Sequence, residues 1–290
     1  MPRANSNGLE LEYETFGSPT DPALVLVMGL GAQMINWDND FCALLAGGGF
    51  RVIRFDNRDI GLSTYLDDLP LPDLAALLGG DLSQAPYGLP DMADDIAGLL
   101  DALGIVRAHV VGVSMGGMIA QQFAINHPAR LLSLCSIMST TGDPTVGRAT
   151  PEALGALLRP AATSREEAIE QGAIGSAIIG SPGFPISEEE RRAKAAASYD
   201  RSFHPAGGAR QTAAIIASHD RTEGLRTVTA PTLVIHGEAD PLVDQSGGKA
   251  TAAAVPGSEL VIIPGMGHDL PRETWPTIVG GIVRNARSAA

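Results

Sequence analysis

Ala108-His109-Val110-Val111-Gly112-Val113-Ser114-Met115-Gly116 runs from an apolar, largely β-branched stretch through Gly-x-Ser-x-Gly into the helix-like stretch Gly117 to His127. The first half predicts a buried strand and the second a helix, so a sharp strand-to-helix turn falls on Ser114. Such a turn lifts the hydroxyl clear of the main chain, while Gly112 and Gly116 leave room for the helix and neighbouring strands to pass closely. Ser114 is therefore the candidate nucleophile.

Outward from this turn, continuous apolar runs recur at Ala23 to Met28, Phe50 to Phe55, Leu131 to Met138, Thr232 to His236 and Leu260 to Ile263, the pattern of strands covered on both faces. Leu9 to Phe16 alternates apolar and polar residues instead, which predicts an antiparallel edge strand with one wet face. Helical patterns at Asp91 to Leu103, Met115 to His127 and Thr274 to Arg287 lie between or after the runs. This alternation predicts an α/β fold, a mostly parallel sheet with helices on both faces. Between about Gly142 and Arg226 the strand runs stop, and Pro151 to Leu158, Arg165 to Gly172 and Glu188 to Tyr199 read as short amphipathic helices. They are expected to form a helical lid inserted after the sixth strand, over the carboxyl ends of the sheet where ligands bind. The expected organisation is residues 1–141 as the first part of the core, 142–226 as the helical cap and 227–290 as the second part of the core.

At 290 residues and 44% hydrophobic content the chain can bury a large core. A formal charge of −13, with 20 basic residues in no cluster, argues against nucleic acid and anionic membrane surfaces. No signal-like or membrane-length apolar stretch is evident, and the expectation is a cytoplasmic protein, monomer or homodimer. Cys42 and Cys135 have no metal-ligand spacing, and the six histidines form no i, i+4 pair, so neither metal nor cofactor is expected.

A serine hydroxyl needs a base within reach, and that base needs an orienting acid. His268, in Pro264-Gly265-Met266-Gly267-His268-Asp269, follows the last buried strand on a glycine-rich loop. Asp240, on the turn after the Thr232 to His236 strand, is the candidate acid, with Glu238, Asp269 and Asp143 as alternatives. The developing oxyanion needs two N–H donors, expected from Met115 directly after the nucleophile and from Leu30 in Met28-Gly29-Leu30-Gly31, with Gly29 or Gly31 as neighbouring alternatives. The remaining histidines read as core or surface residues.

Together with Asp56-Asn57-Arg58-Asp59-Ile60-Gly61-Leu62-Ser63, these motifs resemble the α/β-hydrolase superfamily, and several of them its aclacinomycin methylesterase branch. The resemblance implies an eight-stranded sheet and a serine esterase, with Asp56 and Arg58 fixing the loop beneath the site through an ion pair. Leu30 stands where that branch carries glycine, which implies a narrower mouth. In the helical segment the likeness is limited to His204-Pro205-Ala206-Gly207-Gly208. Gly29, Met34, Trp37 and His204 are expected to touch the substrate, in a pocket lined by aliphatic residues because aromatic content is only 4%. The expected function is hydrolysis of small to medium carboxylic esters through an acyl-enzyme. Other Ser-His-Asp chemistries of this fold stay open at this point: a methylesterase of a polyketide-like substrate, a lactonase, a C–C hydrolase, a cofactor-free perhydrolase. A small-molecule receptor is the remaining reading from another class.

Overall fold

The computed structural model describes residues 2–289. Eight strands, β1 (Arg3–Ser6), β2 (Leu9–Phe16), β3 (Ala23–Val27), β4 (Arg51–Phe55), β5 (Ala108–Val113), β6 (Leu131–Ile137), β7 (Thr232–Gly237) and β8 (Glu259–Ile263), form one sheet in the order β1-β2-β4-β3-β5-β6-β7-β8. Pairing is antiparallel for β1–β2 and β2–β4 and parallel from β4 to β8. All carboxyl ends of the parallel strands therefore share one edge.

The helices α1 (Asn39–Gly47), α2 (Leu74–Leu78), α3 (Leu89–Ala102) and α4 (Met115–Asn126) precede β6. Five more, α5 (Pro151–Leu157), α6 (Arg165–Ile179), α7 (Glu188–Arg201), α8 (Pro205–Ile216) and α9 (Thr222–Leu225), lie between β6 and β7. Finally α10 (Ser246–Ala254) and α11 (Trp275–Arg287) flank β8. Successive side chains of a strand point to opposite faces, so β3 sends Val25 and Val27 into a core shared with α3 and α4, and Leu24 and Leu26 into one shared with α1 and α11. Each such side chain removed from water contributes about 1.5–3 kcal/mol. Two-sided burial is what made these strands readable as continuous apolar runs.

Three expectations need correction. Leu9–Phe16 is not the edge, because Arg3–Ser6 pairs outside it, Ala4 opposite Leu11. That short strand is polar and escaped the hydrophobic reading. The helix expected over Arg165 to Gly172 continues to Ile179, since Gly172, which resembles a stop, is where α6 lies against α7: a Cβ there would come within 2.8 Å of the Ala195 Cβ. Trp37 sits fully buried in the core, stacked on Phe41 with ring centroids 5.5 Å apart, not at a substrate mouth. Cys42 and Cys135 are both buried in that same core. Among the described residues no helix is long and apolar enough to cross a membrane.

Candidate active site

Ser114 joins β5 to α4 with φ 57° and ψ −121°, a left-handed backbone that a serine adopts only when its surroundings impose it. Its N–H donates to Ile137 O at 2.9 Å. Its carbonyl accepts from the N–H of Gly117 at 2.9 Å and Met118 at 3.2 Å, and from Ser139 Oγ at 2.8 Å. The glycines are steric necessities. A Cβ on Gly112 would sit 2.0 Å from Gly116 O, and one on Gly116 would sit 2.2 Å from Val27 O. The end of β3 thus runs against the first turn of α4, and the loop after it reaches the serine: a Cβ on Gly29 would be 3.1 Å from Ser114 Cβ. Met115, at the first position of α4, has an N–H that the helix itself does not use.

The Met28–Gln33 loop is fastened by buried amides. Asn57 Nδ2 donates to Met28 O at 2.9 Å. Gln211 of α8 accepts from Gly31 N–H at 2.9 Å and donates to Arg58 O at 2.9 Å. Gln33 donates to Ser198 O and Ser202 O at 2.7 and 2.9 Å. Leu30, half-buried, is carried by this loop.

His268 and Asp240 meet at the neighbouring strand ends, with His268 Nδ1 2.7 Å from Asp240 Oδ2. Asp240 Oδ1 accepts the N–H groups of Leu242 and Val243, both at 2.9 Å, so each carboxylate oxygen has its own task. Oδ2 can only accept, which fixes the His268 proton on Nδ1 and leaves Nε2 as the lone-pair nitrogen. His236 lies beside them, 3.5 Å from Asp240 Oδ2. Its Nε2 contacts Val243 O at 2.7 Å and burial holds the imidazole below its ordinary value, so it stays neutral and does not compete for the carboxylate. The other acids considered lie elsewhere: Asp143 accepts from Thr145, Glu238 is exposed and Asp269 bonds Ser181.

Of the expected substrate contacts, Gly29 adjoins Ser114, whereas Met34 is fully buried with its N–H donated to Asp56 Oδ1 at 2.7 Å. His204 stacks on Tyr65 with centroids 3.8 Å apart and lies 3.2 Å from Asp67, part of a charged group with Arg210 and Asp59. The expected ion pair of Asp56 and Arg58 is replaced by two others: Arg58 pairs with Asp95 at 2.6 Å and Asp56 with Arg201 at 2.7 Å. Neither partner, Asp95 on α3 or Arg201 on α7, is evident in the sequence, because each lies on an element distant along the chain. A cleft of about 460 Å³ opens beside α4, lined by residues including Met118, Thr140, Ile215 and Ile216.

A serine held in strain on a strand-to-helix turn, with a histidine–aspartate pair at the same sheet edge, has the form of a nucleophile elbow. The family model described as alpha/beta hydrolase fold matches residues 22–271. The chain belongs to that family. It is a serine hydrolase, similar to rhodomycin D methylesterase DauP of Streptomyces sp. (strain C5), 28% identical over 95% of this chain and 94% of that protein. It is also similar to 3-oxoadipate enol-lactonase 1 of Acinetobacter baylyi, 26% identical over 84% of this chain and 81% of the other. Among solved structures, the enol-lactonase from Burkholderia xenovorans LB400 superposes with a TM-score of 0.73 over 99% of this chain and 100% of that one, at 23% identity, a likeness of fold.

Proposed function

We propose that this hydrolase is a carboxylesterase that cleaves small to medium carboxylic esters through an acyl-enzyme. The observation that carries the reading is the 2.7 Å bond between His268 Nδ1 and Asp240 on the same carboxyl edge of the sheet as the strained Ser114. Ser114 Oγ attacks the ester carbonyl while His268 Nε2 takes its proton, and the same nitrogen returns that proton to the leaving alcohol. Asp240 keeps the imidazole in the required tautomer and stabilises the imidazolium. The N–H groups of Met115 and Leu30 receive the oxyanion, each such donor being worth about 10²- to 10³-fold in rate. Water activated by His268 then releases the acid.

Residues 142–226 act as a cap, a role supported by the bonds from α7 and α8 to the Met28–Gln33 loop. The rhodomycin D methylesterases favour a second reading within the same chemistry, removal of a methyl group from the ester of a larger molecule.

Ser114→Ala tests the mechanism against a short p-nitrophenyl ester. The variant is expected to lose activity until only about 10³- to 10⁴-fold over water remains. Hydrolysis near the parent rate would refute the acyl-enzyme. A chain-length series checks substrate size, and a preference for long, insoluble triglycerides would contradict it.

A further inference from the structure

His268 rides on a loop whose own sequence gives it little rigidity. Gly265 has φ +70° and Gly267 follows two residues later, and glycine-rich backbone loses the most conformational freedom when it is ordered. Asp240 fixes the imidazole ring, and its neighbour Ala239 holds the loop at one point by donating its N–H to Met266 O at 2.9 Å. The backbone on either side, Gly265 and Gly267 to Asp269, is fastened by residues 179–183 at the end of α6. His268 N–H donates to Ile179 O at 2.7 Å, Gly267 N–H donates to Ser181 Oγ at 2.8 Å, and Gly183 N–H donates to Gly265 O at 2.9 Å. Ser181 Oγ in turn donates its single proton to the Asp269 carboxylate.

One hydroxyl thus bonds the residue before His268 and the residue after it. Ser181 is 4% exposed, so water does not substitute for either bond. The two segments also touch too closely for side chains: a Cβ on Gly267 would lie 2.4 Å from Gly180 O, and one on Gly183 would lie 2.9 Å from Gly265 Cα. Asp269 plays no part in the proton relay. Burial lifts its carboxyl above the ordinary range, which makes the Ser181 hydroxyl its principal compensation.

We propose that Ser181 is a positioning residue for His268, its hydroxyl clamping Gly267 and Asp269 so that the imidazole stays aligned between Ser114 and Asp240. The proposal rests on the reading of His268 as the general base. Removing the hydroxyl leaves the buried Gly267 N–H without its acceptor and takes from the half-buried Asp269 carboxylate its side-chain donor, leaving it the Ser181 main chain, and the loop responds by shifting. Ground-state binding does not depend on that alignment, whereas proton transfer does.

The test compares Ser181→Ala, Asp269→Ala and Asp269→Asn with the parent and with His268→Ala, using a short p-nitrophenyl ester. Competent active sites are counted by fluorophosphonate titration, and the low-field proton resonance of His268 Nδ1–H reports the Asp240 bond. Ser181→Ala is expected to lower kcat per titrated site about 10- to 100-fold, with KM within about 3-fold of the parent. Its low-field resonance is expected to broaden or vanish. Asp269→Ala should follow it, while Asp269→Asn, whose carboxamide oxygen still accepts the Ser181 proton, should keep about a third or more of the parent kcat.

Parent-like kcat in Ser181→Ala beside an inactive His268→Ala would overturn the proposal and leave the base assignment standing. So would a loss explained wholly by fewer titrated sites, or a rise in KM at constant kcat. An active His268→Ala would instead remove the base assignment itself.

Discussion

The β5–α4 elbow and the α6–α7 pair are built by opposite means. At the elbow, main-chain atoms of two strands and a helix approach until no side chain fits, so Gly112 and Gly116 are dictated by packing. In α6 and α7 only Ile169 and Ala173 are buried, and α7 buries none of its residues. What organises that pair is local chemistry: Ser164 and Ser187 cap the helices by accepting from Glu167 and Glu190 N–H, and Glu188, Glu189 and Glu190 sit at the positive end of α7. Arg192 bridges to Glu166 and Glu170, and Arg165 to Asp200, all at the surface. Each cap contributes about 1 kcal/mol and the exposed pairs little, screened as they are by solvent, against several kcal/mol for a packed core site. The rigid region therefore carries the nucleophile, and the softer one supplies clamps to the loops around it.

Gly116→Ala attacks the rigid side most severely. With its Cβ 2.2 Å from Val27 O, the variant is expected to lose about 3 kcal/mol of stability and about 100-fold in kcat, read by denaturant unfolding and ester turnover. Parent-like values would mean that the elbow yields far more than its packing implies.

A titration sharpens the same contrast. His109 in β5 is buried edge-on against Phe50 and bonded to Ser133, and burial lowers its pKa from 6.5 to about 4. The unfolded chain thus binds a proton that the folded one refuses. Its stabilising contribution is full above pH 6.5 and is lost as pH falls toward 4, on the order of 3 kcal/mol. Unfolding of the parent and His109→Gln at neutral and mildly acidic pH checks this, since the variant should lose less stability on acidification.

The smallest effect belongs to the soft region. Arg192→Ala, which removes the bridges to Glu166 and Glu170, is expected to lower the unfolding midpoint only slightly, and less at high salt. A larger cost would show that surface charges hold the insertion more firmly than their exposure suggests.

Legibility in the sequence follows the same division. Strands buried on two faces announce themselves by apolar runs, and Gly-x-Ser-x-Gly announces the elbow because its glycines answer to close backbone contact. The loop positions of Asp240 and His268 follow from where those strands end. The polar strand Arg3–Ser6 depends on a partner rather than on its own composition, and α10 contains Gly247 and Gly248, against Thr140 and the His236 ring respectively. Pocket and core draw on the same apolar residue types, so Met34 and Trp37 read as mouth residues although tertiary packing buries both. The partners of Arg58, Asp56 and Asp59 lie on α3, α7 and α8, beyond the reach of any local pattern.

The sealed sulfurs of the core have a practical meaning at the bench. Burial pushes the Cys42 thiol up to about 12 and the Cys135 thiol higher, so neither offers a thiolate to an alkylating reagent while the chain is folded. Iodoacetamide consumption consequently becomes a clock for global opening, because α1 and β6 must part from their neighbours before either sulfur reacts.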